Sequence, residues 1–492
     1  MSSKDLQEEI KAGIELFKNK KFNEAKKIFE KLKENVGTKT TGLFFLGVIQ
    51  LEQKNVLEAK NIFLEVIKIE PNHEDANLSL GIIFMGEKKY EKALHYFNNI
   101  TSVNENNINA LYHIGLAYFY MRKINESINF FDKCIKLNKN HLHSYLMLGH
   151  SLIREKKFKL AIENYKKVLE INPKRERTKF NLSWCYFALF EFDKAFEFYE
   201  FRKPKLQPSG RYLEVTSKFH SNEWKGQDLT NKTIMIICEQ GYGDNINFFR
   251  YLYWLNEKFN TKIIFYCHKK LKHLFQYTPF EIISDLNSIT KIDYYQHLLS
   301  LPAFYFAEKK SFKENINFIK VNESVAIKWE KKLNHLKKPI IAINWQGDAR
   351  YSHDDMRSIP LSYYKEILNN KNFDFISLQK NFGSEQIKLN KYENFLVDLS
   401  NEIDVGENAF EDTIAILKKT NCVITSDTAI VHLAATLNIK TYLLLSYNPE
   451  WRWHIELKYK CFYPDLNIIQ QKSPGDWYGV FKELNDRLKQ NL

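Results

Sequence analysis

A glycine returns every 34 residues through the first part of the chain, at Gly13, Gly47, Gly81, Gly115 and Gly149, and Ser183 takes the next step. Twelve residues after each comes a second small residue: Ala25, Ala59, Ala93, Ser127, Ala161 and Ala195. Four residues further on stands an aromatic: Phe29, Phe63, Phe97, Phe131, Tyr165 and Tyr199. Small residues at two fixed positions let paired helices approach closely, and the aromatic fills the space beside them. A single helix pair cannot bury its apolar faces, so the pairs must stack to make a core. These residues are therefore packing residues, and none is assigned to chemistry.

The 34-residue period, with Pro71 and Pro173 closing two of the repeats, resembles the tetratricopeptide repeat (TPR) family. The resemblance implies six repeats over 6–205 and a concave groove for a protein partner. Repeat spacing places Tyr112, Phe119, Tyr120, His150, Phe180 and Trp184 on that groove, where aromatics bind a peptide or carrier, or pack against the following domain. Protein O-GlcNAc transferases, which also join TPR repeats to a transferase domain, carry an asparagine ladder along the groove. The matching positions here read Lys11, Phe45, Ser79, His113, Met147 and Asn181, so the resemblance does not extend to that peptide clamp.

The register stops after Tyr199. The run FRKPKLQPSGR (201–211) reads as a linker, taken as 206–232 in full. Beyond it, short β-rich runs alternate with amphipathic helices, the pattern of a doubly wound parallel sheet. The runs at 233–239, 262–267 and 281–286 predict one set of strands, and those at 339–345, 373–379, 422–426 and 441–446 a second. Residues 476–489 space Trp477, Val480, Phe481, Leu484 and Leu488 as one helical stripe. The expected fold class is α plus α/β: an N-terminal α-solenoid, then a Rossmann-like domain whose lobes span 233–335 and 336–492. Ligands are expected at the C-terminal ends of the strands.

The first strand runs into Glu239-Gln240-Gly241-Tyr242-Gly243-Asp244. Glycines at a strand-to-helix turn let backbone approach a ligand. A dinucleotide fingerprint would need a third glycine where Ile246 stands, and an acid where His268-Lys269-Lys270 follow the second strand. NAD is therefore disfavoured. A second constellation, Ser426-Asp427-Thr428-Ala429 with His432 one turn on, offers small hydroxyl residues at a helix N-terminus, a suitable anion seat. Its plainer reading is an N-cap by Ser426 or Asp427.

The runs EQGYGDNINFFRYL and SDTAIVHLAA resemble the first-lobe loop and the diphosphate-binding motif of family 9 glycosyltransferases, which include heptosyltransferases. With the TPR repeats, the chain also resembles family 41, the O-GlcNAc-transferase group. The resemblance implies a two-lobed GT-B domain, with the acceptor on the first lobe and the nucleotide-sugar on the second. By it Asp244 is the general base; the alternative is that Asp244 caps its helix. Ser426, Asp427, Thr428, Ala429 and His432 would form the diphosphate site, and Arg357, just before Ser-Ile-Pro, would neutralise the departing diphosphate. Trp345, Gln346, Gln379 and Lys380 at strand ends are candidate nucleotide contacts or plain packing. The runs 293–302, 447–456 and 474–481 recur in TPR-linked members of the group; His454 is a candidate cleft residue.

No two aspartates stand in D-x-D spacing, which argues against the metal-dependent transferases, and His353-Asp354-Asp355 lacks ligand spacing. No metal or cofactor is expected, the nucleotide-sugar being a substrate. There is no serine-hydrolase elbow and no Walker A. The net charge of +13 comes from lysines interspersed with glutamates on helix faces, without a nucleic-acid motif. No nucleic-acid partner is expected, and peripheral contact with an anionic membrane stays open. The N-terminal run is charged where a secretory h-region would sit, and no stretch approaches the ~18 apolar residues of a membrane span. Six scattered cysteines without C-x-x-C pairs fit reduced thiols, so a cytoplasmic location is expected. The activity expected is transfer of a sugar from a nucleotide-diphosphate donor to a protein, glycan or lipid-linked saccharide. The alternative is a non-catalytic TPR adaptor.

Overall fold

A computed structural model describes residues 3–203, 210–351 and 354–491. Two compact units divide the chain, Met1–Thr178 and Lys179–Leu492. The first contains five helix–turn–helix pairs, from Ser3–Lys18 with Phe22–Lys33 to Leu142–Arg154 with Phe158–Ile171. The glycine–aromatic spacing has a direct cause. A Cβ on Gly47 would lie 2.6 Å from the Phe63 ring, on Gly115 2.7 Å from Phe131, and on Gly149 2.5 Å from Tyr165. Each of these aromatics is fully buried against the glycine of its own repeat. Ser127, standing where other repeats have alanine, is buried with its hydroxyl 3.2 Å from that of Ser151.

The turn inside each pair repeats as strictly as the packing residues. Lys20, Lys54, Lys88, Arg122, Lys156 and Phe190 all take a left-handed backbone, with φ between 56 and 66°. Each helix ends by folding back on itself; for example Lys21 N–H donates to Leu16 C=O and Asn55 N–H to Gln50 C=O, at 2.9 and 2.8 Å. This second 34-residue register is hidden in the sequence because glycine or asparagine, the usual residues there, are absent.

The sixth pair, Glu176–Ala188 and Phe192–Tyr199, belongs from Lys179 onward to the second unit. Among the described residues six helix pairs thus run from Ser3 to Tyr199, the sixth packing within the second unit. Phe187 stacks on Trp451 at 4.1 Å, while Phe192 and Phe196 pack on Phe306 at 4.8 and 5.8 Å. Arg202, its side chain 2% exposed, pairs with Glu200 and Glu239 at 2.9 and 2.7 Å.

The second unit holds two wholly parallel sheets. The first has the order β1-β5-β2-β3-β4, from β1 (Asn222–Glu223), β2 (Thr233–Ile237), β3 (Lys262–Tyr266), β4 (Glu281–Ile283) and β5 (Tyr294–His297). The second has the order β11-β10-β9-β6-β7-β8, from β6 (Ile340–Asn344), β7 (Asp374–Ser377), β8 (Val397–Asp398), β9 (Cys422–Thr425), β10 (Thr441–Leu445) and β11 (Asn467–Gln470). The strand runs read from sequence become β2, β3, β4, β6, β7, β9 and β10. The expected linker 206–232 is corrected: Gly210–Lys218 is a helix, and β1 pairs in parallel with β5. Its segment 204–209 lies outside the described residues. In the closing helix, Trp477–Asn491, the predicted stripe of Trp477, Val480, Phe481, Leu484 and Leu488 packs into the core of the second sheet.

Both sheets reverse strand order beside a central strand, between β2 and β5 and between β6 and β9. Such switch points open crevices at the C-terminal strand ends, because the flanking connections leave toward opposite faces. The loops after β2, β6 and β9 carry the residues singled out above.

Candidate functional site

The loop after β2 is drawn tight by its own side chains. The Gly241 N–H donates to Asp244 Oδ2 at 3.0 Å, and Asn245 Nδ2 donates to Gly241 C=O at 2.8 Å. Asp244 thus caps the Tyr242–Phe248 helix, as its placement in the first turn favours. Its other oxygen, Oδ1, is ion-paired with the Arg452 guanidinium. Arg452 stands in the Trp451–Tyr459 helix, which follows β10, so the pair joins the loops of the two sheets.

Beside this pair the Tyr242–Phe248 and Ala429–Thr436 helices touch. A Cβ on Gly243 would lie 2.8 Å from His432 Cδ2 and 3.2 Å from Ala429 Cα, so only glycine permits the approach. The Ala429–Thr436 helix begins from Thr428, whose hydroxyl accepts from Ile430 N–H at 3.3 Å and donates to Asn344 Oδ1 at 2.7 Å. The first N–H groups of a helix have no acceptor within it. Ser426 is fully buried in this turn, and its hydroxyl has no partner among the described residues.

Charge gathers at this place. Glu450 lies 3.1 Å from Arg452 Nε and accepts from the Arg452 N–H at 2.9 Å. Burial drives the Glu450 carboxyl up to about 8, helped by Asp427 and Asp244 and opposed by Arg452. Burial also raises Asp427, against the pull of Arg452 and Arg357. One guanidinium therefore faces three acids, and burial favours the protonated form of Glu450. Arg357 reaches Asp354 Oδ1 at 3.0 Å and lies over the Tyr351 ring at 4.7 Å. His353 lies outside the described residues.

Asp244, Asp427, Thr428 and Ala429 thus meet at one place, with Arg357 near enough to act on Asp427. His432 stands one turn into the same helix and is held by aromatic neighbours. Its Nδ1 is 3.1 Å from the Tyr463 hydroxyl, its ring stacks on Trp453 at 5.4 Å, and burial keeps it neutral. Trp345 is fully buried, donating from its indole to Gly383 C=O at 3.2 Å, which leaves it no face for a nucleotide. Gln379 is equally committed. Its Oε1 accepts from Asn344 Nδ2, Trp345 N–H and Gln346 N–H, and its Nε2 donates to two carbonyls. Lys380 donates to Ile403 C=O at 2.6 Å, and Gln346 accepts from Gln386 at 3.1 Å. Strand-end packing, the plainer of the two readings, describes Trp345 and Gln379.

Arg452 and Glu450 were missed by sequence reasoning. A signal existed: two ionisable residues flank Trp451 in an aromatic run, and such residues are buried only when paired. Five cysteines are buried and Cys461 is half-buried, all unpaired. Among the described residues no group of acids, histidines and cysteines could hold a metal, and no helix is long and apolar enough to cross a membrane.

A tetratricopeptide-repeat family model matches residues 41–73, 108–141 and 142–175. Solved structures similar to the chain include MamA (41-end) from Desulfovibrio magneticus RS-1, at 21% identity over 36% of this chain and 98% of that one, with a TM-score of 0.32. Pseudomonas aeruginosa pilF is similar at 17% identity over 43% of this chain and 96% of that one, with a TM-score of 0.38. YrrB, described as a TPR protein with an unusual peptide-binding site, is similar at 16% identity over 39% and 98%, with a TM-score of 0.33. No curated protein matches the chain. The N-terminal region therefore carries TPR repeats, a module suited to protein partners, and a parallel α/β region follows it.

Proposed function

We propose that the second unit is a metal-independent glycosyltransferase of the two-lobed GT-B type, related to families 9 and 41, and that the TPR repeats recruit its protein or glycan acceptor. The observation that carries this reading is the meeting of Asp244, from the first sheet's switch point, with the helix N-terminal turn at 426–429 from the second. In the reaction an acceptor hydroxyl oxygen bonds to the anomeric carbon and the bond from that carbon to phosphate oxygen breaks. The hydroxyl proton passes to Asp244, and the nucleoside diphosphate leaves. Arg357 and the N–H groups at 428–429 oppose the charge that grows on the departing phosphate, which lowers the transition state more than the ground state. The fully buried Trp345 and Gln379 shape the loop and touch no ligand.

Release of nucleoside diphosphate from UDP-, ADP- and GDP-sugars, with candidate acceptors present, tests the roles. Asp244→Asn is expected to slow release about 100-fold or more, the usual worth of a general base. Arg357→Ala is expected to lose a comparable factor. Wild-type rates in both variants would remove the mechanism.

A TPR adaptor with an inactive transferase-like domain is the second reading. The observation favouring it is the contact of Gly243 with Ala429, together with an Asp244 whose two oxygens are both engaged. An adaptor of this kind binds no nucleotide.

A further inference from the structure

We propose that the donor's phosphates and Asp244 compete for one guanidinium, that of Arg452, so that donor binding itself releases the base. This rests on the transferase reading above and assigns Arg452 as a positioning residue within it. Asp244 in the free chain has Oδ2 on the Gly241 N–H and Oδ1 on Arg452. A base held in that way has its outward oxygen covered. Arg452 comes from the second sheet's side, so whatever draws it away uncovers a carboxylate carried on the first.

The competitor's seat adjoins the ion pair. Gly243, next to Asp244 in the chain, rests on Ala429 Cα at the start of the Ala429–Thr436 helix. The turn before that helix holds the fully buried Ser426, whose hydroxyl has no partner among the described residues. A phosphate settling there would lie beside Arg452. Guanidinium meets phosphate oxygens with two parallel hydrogen bonds, and a diphosphate brings more charge than one carboxylate. Glu450, the next acid along, offers weak competition because burial keeps it mostly protonated at neutral pH. Asp427 borders the same seat and repels the incoming anion, as does Asp244, while Arg357 attracts it.

The expectation runs against simple intuition: neutralising the proposed base should strengthen binding of the donor's phosphates. Calorimetry on the full chain with UDP, ADP, GDP and inorganic pyrophosphate measures it. Asp244→Asn should lower Kd about 10-fold for the nucleotide that binds, because Arg452 is freed; Arg452→Gln should raise Kd about 10-fold or more. In the double variant the gain from Asp244→Asn should vanish, since there is no guanidinium left to free. Arg452→Met, which keeps much of the buried volume without a charge, replaces Arg452→Gln in the same cycle if the glutamine variant does not fold.

Equal tightening by Asp244→Asn in both backgrounds would reduce the effect to general electrostatics and overturn the proposal. So would no tightening at all in a chain that binds nucleotide and loses it on Arg357→Ala; the transferase reading would then stand alone. Absence of binding by any probe, in wild type and Asp244→Asn alike, would sink both.

Discussion

Glu450 shows how a single residue reports on the site. Its carboxyl ordinarily titrates near 4.5, and burial lifts it to about 8 in the folded chain. Below about pH 4.5 both folded and unfolded chains hold the proton. Between the two values the unfolded chain gives up a proton that the folded chain keeps, so stability falls as pH rises and levels off above about 8. Glu450→Gln removes that loss and keeps an oxygen to accept the Arg452 N–H. Its melting temperature should therefore rise relative to wild type as pH goes from 4.5 to 8. The gain should reach at least about 1 kcal/mol, roughly 2 °C for a unit of this size. A difference that stays flat with pH would mean that Glu450 is not held protonated. At this scale the sequence was partly legible. Asp244, Arg357 and the 426–429 turn stood out by residue type beside strand ends, whereas Arg452 left only its place beside Trp451 as a signal, its partner Asp244 lying 208 positions away.

Gln379 carries the corresponding argument for elements. It follows β7 and ties the ends of β6 and β7 together by taking three N–H groups on one oxygen and giving its amide protons to Gln346 and Phe382 carbonyls. Gln379→Ala would leave several buried groups unpartnered, each costing about 1–3 kcal/mol. The expected result is a loss of roughly 3 kcal/mol or more in urea unfolding of the second unit, with nucleotide affinity of the folded fraction unchanged. A fully stable variant that binds nucleotide poorly would return Gln379 to the ligand site. Elements were legible where burial stamps a period on the sequence. The repeat helices show it through the glycine that must admit Phe63 or Tyr165, and the central strands through unbroken apolar runs. β1 and β8, of two residues each, are too short to leave a pattern. β5 was hidden because its polar Gln296 and His297 are buried by hydrogen bonding and packing rather than by hydrophobicity.

In the whole molecule a TPR region is followed by a parallel α/β unit in which both switch points carry charged loops. In the sixth helix pair, repeat register and compact unit part company. Its repeat spacing is intact, yet Phe187, Phe192 and Phe196 bury their rings against Trp451 and Phe306 of the α/β unit, so it folds with that unit. Spacing records how a helix pair is built, and only packing records what it is built onto. The central claim, that this unit takes a nucleotide-sugar, is tested most directly by calorimetry of the full chain against UDP-, ADP- and GDP-sugars. The account predicts saturable binding of at least one, weakened about 10-fold or more by Arg357→Ala through loss of a charge-assisted phosphate contact. No binding heat from any of them at millimolar concentration would contradict it.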